Sequence, residues 1–141
     1  MGATTLSRTP IWAALAAALL GCQSARISSA IQRELATKGT VDLSIAVPGE
    51  WQRVCVLGPY SNNETASQTL GFAWNVESRS SIRSSDGISV LAFVEGNEVV
   101  AYAEHERRFG DFAGLSGRCF VRARAKFAKA EGGNRALLPV D

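Results

Sequence analysis

The segment that most constrains the fold is Ile88–His105, two runs of seven apolar-rich residues joined by Glu95-Gly96-Asn97-Glu98. A Gly-Asn pair between two such runs is the signature of a tight hairpin. Pairing Glu95 with Glu98 sets Val94 across from Val99, Phe93 from Val100, Leu91 from Tyr102 and Ile88 from His105. Val90, Ala92, Val94, Val99 and Ala101 then share one face, and Leu91, Phe93, Val100 and Tyr102 the other. Two apolar faces demand cover on both sides, so the hairpin is expected at the centre of a sheet.

The remaining elements are read around that hairpin. Ile27, Ile31 and Leu35 recur every four residues between Ser24, a residue suited to cap a helix, and a Gly39 stop, which predicts a helix ending near Lys38. Val41, Leu43, Ile45 and Val47 alternate with smaller or polar residues and predict a strand, which Pro48-Gly49 turns back into an antiparallel run over Trp51–Leu57. Ser61-Asn62-Asn63-Glu64 has capping-box spacing and predicts a short helix over Asn62–Leu70, ended by Gly71 in the left-handed region with Phe72 folded back onto its last turn. Phe72, Trp74 and Val76 alternate as a strand would, and Glu77–Asp86, with five serines and two arginines, reads as a long loop. Past a glycine-punctuated loop over 109–117, Arg118–Phe127 sets Val121, Ala123, Ala125 and Phe127 against Arg122, Arg124 and Lys126. The Gly-rich tail beyond Ala130 reads as loosely held. The expected architecture is α+β: a single small domain with an antiparallel sheet of about five or six strands, an N-terminal helix packed on one face and a second short helix near an edge.

Upstream of these elements, Ile11–Leu20 is an uncharged apolar decamer preceded by one basic residue, Arg8, and followed by Gly21-Cys22. The run is about half the length of a membrane-spanning helix and fits a secretory leader. Leu6 stands where an N-myristoylation signal needs Ser or Thr. Leu19-Leu20-Gly21-Cys22 resembles the lipobox of bacterial lipoproteins. That resemblance implies that residues 1–21 are removed, that the Cys22 thiol carries diacylglycerol, and that residues 22–141 form one periplasm-facing domain. Gln23, where sorting in enteric-type bacteria reads Asp as an inner-membrane signal, implies the outer membrane. Only about three residues would separate the lipid from the first helix. With Cys22 lipidated, Cys55 and Cys119 would face an oxidising periplasm, and a disulfide between them is expected, joining an early strand to the start of the last and so the two ends of the sheet.

Removing residues 1–21 takes Arg8 from the 15 basic residues and nothing from the 13 acids, leaving a net charge of +1. So balanced a chain is not expected to bind nucleic acid. Glu104-His105-Glu106 invites a metal reading, but alternate residues of a strand face opposite ways, so no metal is expected there. The sole histidine has no nucleophile or orienting acid at a recognisable spacing, and no glycine loop suits a phosphate. Neither catalysis nor a cofactor is therefore expected. Two candidate binding features remain. Arg122, Arg124 and Lys126 would form a row on one strand face, either pairing across strands with Glu104 and Glu106 or meeting an anionic partner. Tyr60, Phe72 and Trp74 are core aromatics or a recognition surface. The expected role is a lipid-anchored envelope protein that binds an envelope protein or cell-wall polymer without catalysis, as an inhibitor, immunity factor or assembly accessory. A small-ligand or lipid-binding module, with a pocket between helix and sheet, is the alternative, followed by a cell-wall enzyme using Glu104 or Glu106.

Overall fold

A computed structural model describes the backbone from Ile11 to Asp141 and the side chains from Cys22 onward, so Arg8 and the first ten residues lie outside the described residues. In chain order the elements are α1 (Ile11–Lys38), β1 (Thr40–Asp42), α2 (Leu43–Ala46), β2 (Arg53–Leu57), α3 (Asn63–Leu70), β3 (Ile88–Glu95), β4 (Glu98–Glu106), β5 (Cys119–Val121), β6 (Lys126–Lys129) and β7 (Leu137–Pro139). The fold is α+β as expected, but its strands form two antiparallel sheets: four strands in the order β4-β3-β2-β5 and three in the order β1-β6-β7.

The hairpin forms, with Glu95 opposite Glu98 and Val94 opposite Val99, but Phe93 pairs with Ala101 rather than Val100. One extra residue is accommodated on β4, so from there the register differs from the expected one by one place. Ala101 and Ala103 thereby join Leu91 and Phe93 in the core beneath α1, and Tyr102 turns to the opposite side with Val90. His105 follows Ala103 onto the α1 face. Both faces are covered as expected, but only β3 is central, since β4 forms an edge. That edge is managed by α1, whose Ser24 hydroxyl accepts a hydrogen bond from the Glu104 N–H at 3.1 Å. Ser24 is therefore an interior residue of a continuous helix and not its cap.

The α1 face buries Ile27, Ile31 and Leu35 against Val54, Val56, Leu91 and Phe93, and the same core takes Val41, Phe127 and Leu137 from the smaller sheet. Gly39, at φ 70°, ends the helix as expected, its N–H returning to the Leu35 carbonyl at 3.0 Å. The far face of the large sheet is closed by α3 and the segment after it, with Ala66, Leu70, Val76 and Ile82 buried.

The predicted strand over Val41–Val47 is broken. The Asp42 carboxylate accepts the Ser44 N–H at 3.0 Å and caps a helical turn, leaving Ile45 81% exposed where strict alternation would have buried it. β2 accordingly pairs with β3 and β5, not with the preceding segment. The capping box of α3 lies one residue beyond the expected one, joining Asn62 and Thr65, because the Ser61 hydroxyl is spent on the Gly58 carbonyl at 2.6 Å. Gly71 ends α3 at φ 84°. Phe72–Val76 joins no sheet; its side chains cover one. The serine-rich loop is anchored by buried Ile82, and the tail returns as β7 with Leu137 in the core.

Candidate functional site

The three cysteines divide into a pair and a single. Cys55 of β2 and Cys119 of β5 are direct register partners with a Cα–Cα distance of 4.0 Å, and they are disulfide-bonded. The bond cross-links neighbouring strands, not the two ends of the sheet, because β5 pairs beside β2 and ends after three residues. Cys22 is free and exposed on α1, two residues before the serine that reaches β4.

The cation row does not exist as a row. A helical turn over Arg122–Arg124 interrupts the expected strand, so Cys119–Val121 and Lys126–Lys129 belong to different sheets. The Arg122 guanidinium lies 4.6 Å from the Trp51 ring centroid and donates to the carbonyls of Gly49, Trp51 and Ser44 at 2.6, 3.2 and 3.3 Å. It fastens the α2 and Pro48-Gly49 turns to the end of β5, which is a structural task. Arg124 is exposed and makes no ion pair among the described residues, while Lys126 sits 3.8 Å from Asp42 across β1 and β6. The expected pairing with Glu104 and Glu106 is absent as well: Glu104 accepts the Ser81 N–H, and Glu106 binds Arg108 at 2.9 Å.

Trp74 is half-buried, edge-on to Tyr102 at 5.7 Å and with Arg79 at 5.6 Å from its ring centroid, so it belongs to the cover of the large sheet. Tyr60 is different. Its backbone is in the left-handed region at φ 64°, alone among the described non-glycine residues, and its side chain is 61% exposed. Its N–H donates to the Ile82 carbonyl at 3.0 Å, which ties the turn after β2 to the buried end of the serine-rich loop. The left-handed conformation costs a residue with a side chain about 1–2 kcal/mol, and the ring recovers little of that by burial.

His105 is fully buried between β4 and α1, where the Ser28 hydroxyl lies 2.9 Å from Nδ1 and Phe112 packs edge-on at 5.6 Å. Nε2 has no hydrogen-bond partner of good geometry among the described residues. Burial pushes the ring pKa down to about 4, against smaller upward pulls from the Phe109 backbone and the Glu106 carboxylate. The pair cannot reach a substrate from there. The readable sign of it was the spacing of Ser24 and Ser28, four residues apart beside Ile27 and Ile31. Next to it, Arg107 grips Asp111 through two hydrogen bonds of 2.9 Å, which hold that carboxyl below its usual range against the opposing effect of partial burial. Nothing in the sequence spacing marked this ion pair as special.

Among the described residues no three His, Cys, Asp or Glu side chains are placed to hold a metal ion, and no helix is long and apolar enough to cross a membrane. No protein-family model, no curated protein and no solved structure matches the chain.

Proposed function

We propose that the chain is a lipid-anchored envelope protein, held through Cys22, whose disulfide-closed domain binds another envelope macromolecule without catalysing a reaction. Tyr60 carries the binding half of this reading: a large amphipathic ring is held out in solvent at a left-handed position, where the backbone has a tying role but the ring has no buried one. Exposed tyrosines of this kind supply rigid contact area at low entropic cost. The division of the cysteines supports the anchoring half, since the lipobox thiol alone is free and accessible while the other two are bonded.

The alternative readings have less to draw on. The seam between α1 and the large sheet is filled by Ile27, Ile31, Leu35, Leu91 and Phe93, where a small-ligand module would need a pocket. Glu106 does border an open concavity of about 430 Å³ together with Asp86, Arg107 and Arg108, but its carboxylate is committed to Arg108. A general acid would need to be released from that pair.

A photo-crosslinking side chain placed at position 60 in cells tests the proposal. The expected result is one discrete adduct in the membrane fraction, absent when the same group stands at position 124. Equal, diffuse labelling from both positions would refute the Tyr60 surface, and a chain recovered in the soluble fraction would refute the anchor. Tyr60→Gly should abolish the adduct partner's capture while changing stability by less than about 1 kcal/mol, because relieved strain and added chain entropy oppose each other.

A further inference from the structure

One concavity among the described residues is lined by cations and by no acid. It measures about 180 Å³ and lies where Gln32 of α1, Arg108, Phe109 and Gly110 after β4, and Lys129 and Arg135 at the two ends of the β6–β7 connection come together. Three of its lining side chains are cationic and none is acidic. The Arg108 guanidinium rests over the Phe109 ring at 4.5 Å, and its Nε is held by Glu106 at 2.9 Å. Its two terminal nitrogens have no hydrogen-bond partner among the described residues. Lys129 and Arg135 make no ion pair among the described residues. Of the acids nearest in the chain, Asp111 is taken by Arg107, and Glu131 is exposed and makes no ion pair among the described residues.

The platform beneath these cations is fixed. The Lys129 N–H donates to the Gly39 carbonyl at 2.9 Å, and the Arg135 carbonyl accepts from the Asp111 N–H at 2.8 Å. Gly110 sits at φ 144°, and a Cβ there would stand 2.5 Å from the Leu35 side chain, so only glycine fits this close approach of the turn to α1. Three like charges converging on a fixed concavity repel one another unless an anion offsets them.

We propose that this concavity binds a phosphate monoester. Arg108, Lys129 and Arg135, set against Glu106, leave a local charge of +2, which a phosphate monoester matches with about −1.5 to −2 at neutral pH; one carboxylate would neutralise half of it. A guanidinium with two free terminal NH2 groups suits the paired oxygens of a phosphate, and a lysine adds a point charge. The volume lies below the roughly 300–1,000 Å³ of pockets that enclose a whole organic ligand, so the phosphate is read and its carrier stays largely outside. The carrier is either a soluble ester or a lipid headgroup. This site does not depend on Tyr60 or on the lipid anchor.

Titration of the full chain, disulfide intact, with glycerol 3-phosphate and separately with phosphatidylcholine vesicles containing phosphatidic acid tests it. Wild-type protein should bind at least one probe. Lys129→Gln with Arg135→Gln should weaken that binding at least about tenfold, the effect of losing one or two charged hydrogen bonds. Arg33→Gln, on exposed helix outside the concavity, should leave it unchanged. Binding to the soluble ester assigns the site to soluble phosphates, whereas binding to the vesicles alone, with the same loss in the variant, assigns it to a headgroup. The proposal is overturned if neither probe binds, if the double variant binds as wild type, or if phosphatidylglycerol vesicles bind as well as phosphatidic acid, since generic surface charge would then suffice.

Discussion

The two sheets share one core but are assembled from different kinds of chain. In the four-stranded sheet, β3 and β4 are joined by a two-residue turn and β2 carries a continuous apolar run, so local pattern and tertiary role agree. The three-stranded sheet pairs residues 40–42, early in the chain, with 126–129 and 137–139 at its end, pieces of three or four residues each. Its strands are too short for alternation to mark them. They are held by what they bury: Val41, Phe127 and Leu137 enter the core under α1. The hairpin of the large sheet is marked by its own sequence, the small sheet by the core it closes.

The most damaging way to break that arrangement is Phe127→Ala. Phe127 is fully buried, edge-on to Phe112 at 5.4 Å and to Phe120 at 5.0 Å. The truncation should cost about 3–5 kcal/mol. Hydrogen exchange should show β6 and β7 losing protection before β3, and simultaneous loss across both sheets would mean that they do not differ in independence.

Acid should come next, through the α1 seam that both sheets share. His105 has its pKa lowered from 6.5 to about 4, so its neutral form is the one that folding favours. Stability from this group is complete above pH 6.5 and is lost as pH falls towards 4. At about 1.4 kcal/mol per unit, the loss approaches 3 kcal/mol. Urea midpoints at pH 7 and pH 4 for wild type and His105→Gln check this: the variant should lose the component, and identical pH profiles would contradict it.

Arg122→Met should cost about 1–2 kcal/mol, since it keeps the side chain's bulk but drops three hydrogen bonds to carbonyls and the contact with Trp51. Arg124→Gln, two residues away, should change the thermal midpoint by an amount equivalent to less than about 0.5 kcal/mol. Equal effects would restore the row of equivalent cations that alternation suggested.

That contrast marks where the sequence stops being informative. The hairpin, the α1 face, Gly39 and Gly71 were legible because each depends on neighbours within a few residues. The extra residue on β4 was not, since nothing about Val99-Val100-Ala101 says which residue is left over; the core beneath α1 chooses. The break at Asp42 was in principle readable, as an Asp two residues before Ser44 favours a helical cap, but apolar alternation outweighed it. The turn at Arg122–Arg124 had no such mark, because its reason lies in Trp51 and Gly49, some seventy residues earlier. The same holds for the phosphate concavity, whose three cations are brought together only by the turn after β4 and the β6–β7 connection.

The smallest change is Lys126→Gln, which removes a loose pair at 3.8 Å between a half-exposed lysine and a partly covered carboxylate and should alter stability by no more than about 0.5 kcal/mol. A larger loss would mean that the small sheet depends on its surface charges after all.

The lipid anchor and the disulfide are both read by the non-reduced mass of the chain recovered from the membrane fraction. The expected species begins at Cys22, carries lipid there and is two hydrogens lighter through the Cys55–Cys119 bond. A chain that still begins at Met1, with three free thiols and no lipid, would contradict both.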